Sequence, residues 1–199
     1  MLIFPVHFEQ EFRQGLVPLL NAMVEYIHAL IDNMKEISSS DKLERARLKI
    51  EFTLQSQQGM YPEWVYEVGF NPGLRAGFRF FLVNLERVSD ILFSLNFLLT
   101  SSVDEERLRG MDERLADAMK KNAELIMALS DYFKNKKIKA TKSDFTSDIT
   151  ALENTLRQKI PGSIELLDLS PDYIKLTALV RDVKDLRELL LQLVLALPS

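Results

Sequence analysis

The chain has 199 residues, with 25 Lys and Arg against 29 Asp and Glu, a net charge of −4 and no cysteine. The length fits one domain. The lack of cysteine excludes a disulfide framework, a thiolate zinc site and a cysteine nucleophile. The acidic balance argues against a nucleic-acid partner, because proteins that bind nucleic acid usually carry a basic surplus. Low glycine and proline content, seven of each, together with 47% hydrophobic residues, favours a helical protein.

Two amphipathic helices are predicted at the start of the chain. The first spans about residues 8–37, where apolar side chains recur every three or four positions. Pro18 lies inside it and is expected to kink or split the helix near residues 15–17, because proline removes a backbone donor. Ser40 or Asp41 can cap the second helix, predicted over 41–58. Its apolar stripe consists of Leu43, Ala46, Ile50 and Leu54.

An aromatic connector containing proline and glycine is predicted at residues 59–72. The stretch 59–77 holds four of the seven glycines, two of the seven prolines and the single tryptophan. Its aromatic side chains either close one end of a helical bundle or form a ligand platform. The arginines beside them either hold a carboxylate with two hydrogen bonds or pair with Glu86 or Glu63. The candidate ligand or interface residues are Tyr61, Trp64, Tyr66, Arg75 and Arg79.

The third predicted helix, residues 72–99, is apolar on nearly all sides, which predicts a central helix packed on several faces. A capping box at Ser102 and Glu105 begins the fourth. This helix carries a coiled-coil-like seam with one polar position, Asn122. The basic loop after it is either solvated or in contact with an anionic membrane surface. Its five lysines are Lys134, Lys136, Lys137, Lys139 and Lys142.

Two further helices complete the predicted architecture. The fifth spans about residues 143–160, and the sixth begins at Ser170, followed by a proline in the first turn. The sixth carries three heptads of apolar residues between Leu176 and Leu197, typical of a seam against other helices of the chain or against a second copy. We therefore predict an all-α bundle of about six helices, mostly antiparallel, forming a single domain over residues 1–199. No internal repeat is apparent.

No catalytic or metal-binding pattern is recognisable in the sequence. The two histidines, His7 and His28, lack the spacing of a zinc site, and neither a phosphate-binding loop nor a nucleophile elbow occurs. We therefore predict no catalytic residue, no cofactor-binding residue and no metal ligand, and we do not expect an enzyme. The sequence contains no apolar run of 18 residues, so no segment of it is expected to span a bilayer alone.

Both ends of the sequence are apolar, with LIFPV at 2–6 and LLLQLVLAL at 189–197. They either tuck into the core or adjoin a membrane. Residues 2–9 resemble the exit from a transmembrane helix into the cytosolic helical region of fusaric-acid-resistance-like (FUSC) membrane proteins, the group that includes aromatic acid exporters. Residues 61–72 (YPEWVYEVGFNP) and 76–82 (AGFRFFL) are similar to a segment of bacterial members of this group.

This resemblance implies that the chain is the soluble cytosolic part of a longer membrane protein, at the cytoplasmic face of the inner membrane. Its partner would be the membrane-embedded part of the same chain. Its role would be assembly or regulation of a transporter that exports small aromatic or anionic compounds. Two alternatives stay open: a standalone helical interaction module, including a homo-oligomer, and a small-molecule sensor that uses the aromatic connector.

Overall fold

A computed structural model describes residues 5–34, 40–67, 72–100, 111–135, 147–159 and 171–197. These residues form helices, with no strand among them, which confirms the predicted all-α bundle. The helices are α1 (Pro5–Met34), α2 (Ser40–Glu67), α3 (Pro72–Thr100), α4 (Asp112–Asn135), α5 (Ser147–Lys159) and α6 (Pro171–Leu195).

Four long helices, α1, α3, α4 and α6, surround the core. Helix α1 packs against α4, α4 against α6, α6 against α3 and α3 against α1. Ring contacts between Phe12 and Phe78 and between Tyr26 and Phe93 show that α1 and α3 run parallel. Helix α2 lies against α1 and α3, and α5 lies against α4 and α6. Helices adjacent in the chain therefore run antiparallel, as predicted.

The first and last three helices have the same layout. In each half the middle helix runs antiparallel to the outer two, which are parallel to each other. One end of the bundle therefore brings together the start of α1, the start of α3, the end of α4 and the end of α6. Phe12, Phe78, Phe133 and Leu197 come together there, and we call this the aromatic end.

The predicted apolar seams are buried inside the bundle. In α2 and α4 all members of each predicted stripe are buried, Asn122 included. The sixth-helix seam is also buried within the chain, so it does not offer its apolar side chains to a second copy. Its members are Leu176, Leu179, Val183, Leu186, Leu190, Leu193 and Leu197.

The predicted connector is wrong for residues 59–67, which continue α2 as helix with Gly59 and Pro62 inside it. Residues 68–71 lie outside the described part of the chain. Gly59 and Pro62 are poor helix formers. Met60 and Tyr61 between them pack against the core, and this burial offsets the low intrinsic propensity, since tertiary packing supplies most helical stability in proteins.

Two other helix predictions also differ from the structure. Helix α1 is uninterrupted across Pro18, whose ring is exposed, so the proline does not split it. Helix α3 packs on several faces, against α1, α2 and α6, as predicted, but its apolar residues Phe80, Val83 and Phe97 are exposed, the last by 70%. Because α2 covers part of α3 and α5 lies on the other half of the bundle, one face of α3 stays open to solvent. The predicted capping box at Ser102 lies outside the described residues.

The helical assignment of residues 59–67 makes a stability prediction. A Cβ added at Gly59 meets no heavy atom within 4 Å, so Gly59→Ala introduces no clash. Because alanine in a helix interior is favoured over glycine by about 1 kcal/mol, we expect the variant to be more stable by that amount in urea unfolding. A variant with unchanged or lower stability would contradict a continuous α2.

Candidate functional site

The structure brings together two of the five predicted ligand or interface residues. Tyr61, half-buried near the end of α2, and Arg79, exposed on α3, line a surface groove of about 170 Å³ together with Glu86. Arg75 is half-buried one turn before Arg79. Trp64 lies within helix α2, as does Tyr66, but their side chains are outside the described part of the structure.

This groove offers one aromatic ring, a guanidinium and a carboxylate. Glu86, one of the two carboxylates considered as partners for the arginines, lines the groove with Arg79. The groove is too small for a drug-sized ligand, and its described lining contains a single aromatic ring, with no second ring to enclose a ligand. As it stands, the groove accommodates a side chain or a small polar group, and its residues have the character of a surface contact.

A second concave site lies at the aromatic end of the bundle, and we call it the aromatic cavity. It has a volume of about 200 Å³ and is lined by five aromatic side chains from three helices: Phe12, Phe78, Phe81, Tyr132 and Phe133. Ring centroids of Phe12 and Phe78 are 4.3 Å apart, and Phe81 meets Phe133 edge-on at 5.4 Å. Such tilted and edge-to-face contacts are the favoured arrangements of aromatic pairs.

Arg13 is the charged side chain among the residues described around this cavity. Its guanidinium carbon lies 5.4 Å from the centroid of the Tyr132 ring, within cation–π range. Sequence reasoning placed Phe12, Phe78 and Tyr132 on apolar helix faces but did not predict a cavity. No periodic signal reveals which helix ends meet, because that depends on how the six helices are arranged in space.

The most completely buried charge in the described residues is Arg187 of α6, which is 2% exposed. Its Nε donates to the Oδ1 of Asn122, and its Nη2 donates to the carbonyl oxygen of Ala118 at 2.8 Å. The same nitrogen donates to Asp148 Oδ2 at 2.9 Å, and Lys121 approaches Asp148 Oδ1 at 3.2 Å. We call these side chains the Arg187 cluster, which links α4, α5 and α6.

The environment of Asp148 favours its charged form. Burial raises the pKa of this carboxyl, but hydrogen bonds and charge from Arg187 and Lys121 outweigh burial, so the net pKa lies below its ordinary value. The carboxylate is therefore ionised at neutral pH and paired on both oxygens. This arrangement suits a structural clamp between helices. The sequence singled out Asn122 as a polar seam position but gave no signal that pointed to Asp148 or Arg187.

The aromatic end also exposes charged and apolar side chains toward solvent. Lys134, in the last turn of α4, is exposed, and Leu195, the last residue of α6, is 83% exposed.

Within the described ranges, no helix is long and apolar enough to cross a membrane. In the same ranges, no three His, Cys, Asp or Glu side chains lie close enough together to hold a metal ion.

Comparisons with known proteins add no assignment to this geometry. No protein-family model, no curated protein and no solved structure matches the chain.

Proposed function

We propose that the chain is a cytosolic accessory domain of a FUSC-type membrane transporter, located at the cytoplasmic face of the inner membrane. The observation that carries this proposal is the common location of two helix ends. Helix α1 begins and α6 finishes at the aromatic end of the bundle. Chain segments on either side of the domain would therefore meet a bilayer on one side, without crossing the length of the bundle.

The basic residues at the end of α4 and after it in the sequence support the same orientation. Lys134 is exposed at the end of α4, and Lys136, Lys137, Lys139 and Lys142 follow it in the chain. Basic residues near membrane spans accumulate on the cytoplasmic side, where anionic lipids attract them. The residues that carry the resemblance also belong to this end, because 61–82 covers the end of α2 and the start of α3.

The proposed role is assembly or regulation of the transporter, with the permeation path in the membrane-embedded part of the same chain. The small aromatic or anionic compounds it would export follow from the resemblance alone. Homo-oligomerisation was an alternative motivated by the sixth-helix seam. Since that seam is buried within the chain, an oligomer would have to use another surface.

Cell fractionation tests the proposal directly. The protein is expressed from its own gene, and the membrane and soluble fractions are probed by immunoblot. Recovery in the inner-membrane fraction after alkaline carbonate extraction supports the proposal, because carbonate strips peripheral proteins. Recovery in the soluble fraction alone overturns it.

The orientation toward lipid makes a separate prediction for the domain of 199 residues. We expect it to co-sediment with phosphatidylglycerol-containing vesicles and not with pure phosphatidylcholine. Each lysine near an anionic surface contributes about 1 kcal/mol, so the triple change Lys134→Gln, Lys136→Gln and Lys137→Gln should weaken binding tenfold or more.

A matched control removes three positive charges elsewhere on the bundle. Lys42, Arg45 and Arg157 are exposed and lie away from the aromatic end, so changing all three to glutamine alters the net charge equally. We expect this control to retain most of its vesicle binding. Equal losses in the two triple variants would contradict the proposed orientation.

A further inference from the structure

We propose that the aromatic cavity binds a small molecule with one aromatic ring. The inference rests on the packing of the described helix ends and does not depend on attachment to a membrane. The walls supply aromatic faces and edges from α1, α3 and α4, and Leu197 after α6 adds an aliphatic contact. A flat ring can therefore make stacked and edge-on contacts at once, the two geometries that aromatic pairs prefer.

The size of the cavity sets the size of the ligand. An apolar protein cavity of about 150 Å³ is known to accommodate benzene. The aromatic cavity, at about 200 Å³, has room for one six-membered ring with a small substituent. Two fused rings with substituents, or a drug-sized molecule, would exceed it, because typical pockets for those ligands have roughly 300–1,000 Å³.

Gly77 extends the open space of the cavity along α3. This glycine lies inside α3 and lines the cavity, and a Cβ added there meets no heavy atom within 4 Å. A glycine within a helix is less favourable than alanine by about 1 kcal/mol, and usually a close neighbour explains it. Here the space beside a half-buried glycine is left open instead, and the open space is the cavity itself.

Arg13 adds a charged side chain to the lining of the cavity. Its guanidinium lies over the Tyr132 ring at the cavity, and a guanidinium carries five N–H donors in a planar fork. The walls of the cavity are otherwise mostly apolar. Ligand sites commonly combine apolar walls with one or two such polar groups that fix orientation.

The test compares phenol with cyclohexanol, which has a similar size and the same hydroxyl group but no aromatic ring. Binding to the folded state raises the unfolding temperature, because the stabilisation grows with the logarithm of one plus the ratio of ligand concentration to Kd. We expect millimolar phenol to raise the Tm of the whole chain measurably, and cyclohexanol to raise it several-fold less. Saturation-transfer NMR on the phenol protons provides a second readout that does not depend on stability.

Two glycine variants locate the binding. Gly77→Leu places a side chain in the cavity, whereas Gly59→Leu places the same side chain on the exposed face of α2, also with no atom within 4 Å of the new Cβ. We expect Gly77→Leu to fold, as judged by circular dichroism, and to lose the phenol-dependent Tm shift and NMR signal. Gly59→Leu should retain both.

Three results would overturn the proposal. One is the absence of any phenol effect on the unmodified chain at millimolar concentration. Another is an equal response to phenol and cyclohexanol, which would show that the cavity does not prefer an aromatic ring. The third is a folded Gly77→Leu variant that still binds phenol, which would place the binding outside the cavity.

Discussion

Replacing Arg187 with methionine is expected to lower the free energy of unfolding by about 3–5 kcal/mol, the usual effect of removing one partner from a buried ion pair. The methionine would leave Asp148 without its main cation, and it would leave the side-chain oxygen of Asn122 and the carbonyl of Ala118 without this donor. Urea unfolding followed by circular dichroism measures the loss.

Two comparisons separate charge pairing from simple loss of packing. Arg181→Met removes an arginine from the same helix, but this side chain is 68% exposed, so we expect a change within about 0.5 kcal/mol. The double variant Arg187→Met, Asp148→Leu removes both buried charges and should recover much of the lost stability. A double variant as unstable as the sum of its single changes would contradict a paired cluster.

Acid titration of the unmodified chain and of an Asp148→Asn variant gives a separate check on Asp148. Its pKa is below the ordinary value in the folded protein, so its stabilising contribution is present above the unfolded pKa and is lost as pH falls through the folded pKa. The unmodified chain should therefore lose stability on acidification more steeply than Asp148→Asn. Parallel pH profiles would mean that Arg187 does not lower the pKa of this carboxyl.

Leu190→Ala should destabilise the chain by about 3–5 kcal/mol, in the range found for leucine truncation in well-packed cores. Leu190 is 0% exposed in the middle of the sixth-helix seam, and the alanine leaves a cavity that the neighbouring helices cannot fully close. The midpoint of urea unfolding should be lower and independent of protein concentration, because the seam packs within one chain.

Leu195→Ala is the matched control, since this leucine is on the same helix and is 83% exposed. We expect its stability to stay within about 0.5 kcal/mol of the unmodified chain. An unfolding midpoint that rises with protein concentration, or a loss at Leu195 equal to that at Leu190, would indicate that α6 packs between copies.

Periodicity predicted the helices well because it reports directly which side of a helix meets apolar neighbours. The seams of α2, α4 and α6 needed no knowledge of the partner helix, since residues three and four apart share a face whatever they pack against. The same method overestimated the burial of α3. Phe80 and Phe97 are apolar and yet exposed, and a sequence pattern cannot show which apolar face is left without a covering helix.

Local propensity misled the prediction for the end of α2. Gly59 and Pro62 are ordinary signals for a helix break, and here the packing of Met60 and Tyr61 outweighs them. As a result, Tyr61, Trp64 and Tyr66 belong to α2 and not to a connector, whereas Arg75 and Arg79 lie on α3 as predicted. Tyr61 and Arg79 share a groove because the end of α2 packs antiparallel against the start of α3. The prediction of a connector did not include this helix contact.

The sequence by itself determined the helical class, the approximate helix bounds and the buried stripes, because composition and a period of three to four residues act within one helix. The tertiary structure alone decided what depends on contacts between distant positions. Arg187 meets Asp148 across 39 residues, and the aromatic cavity gathers side chains from both ends of the chain. Such contacts follow from the order and direction in which helices pack, and no local pattern of residues predicts them.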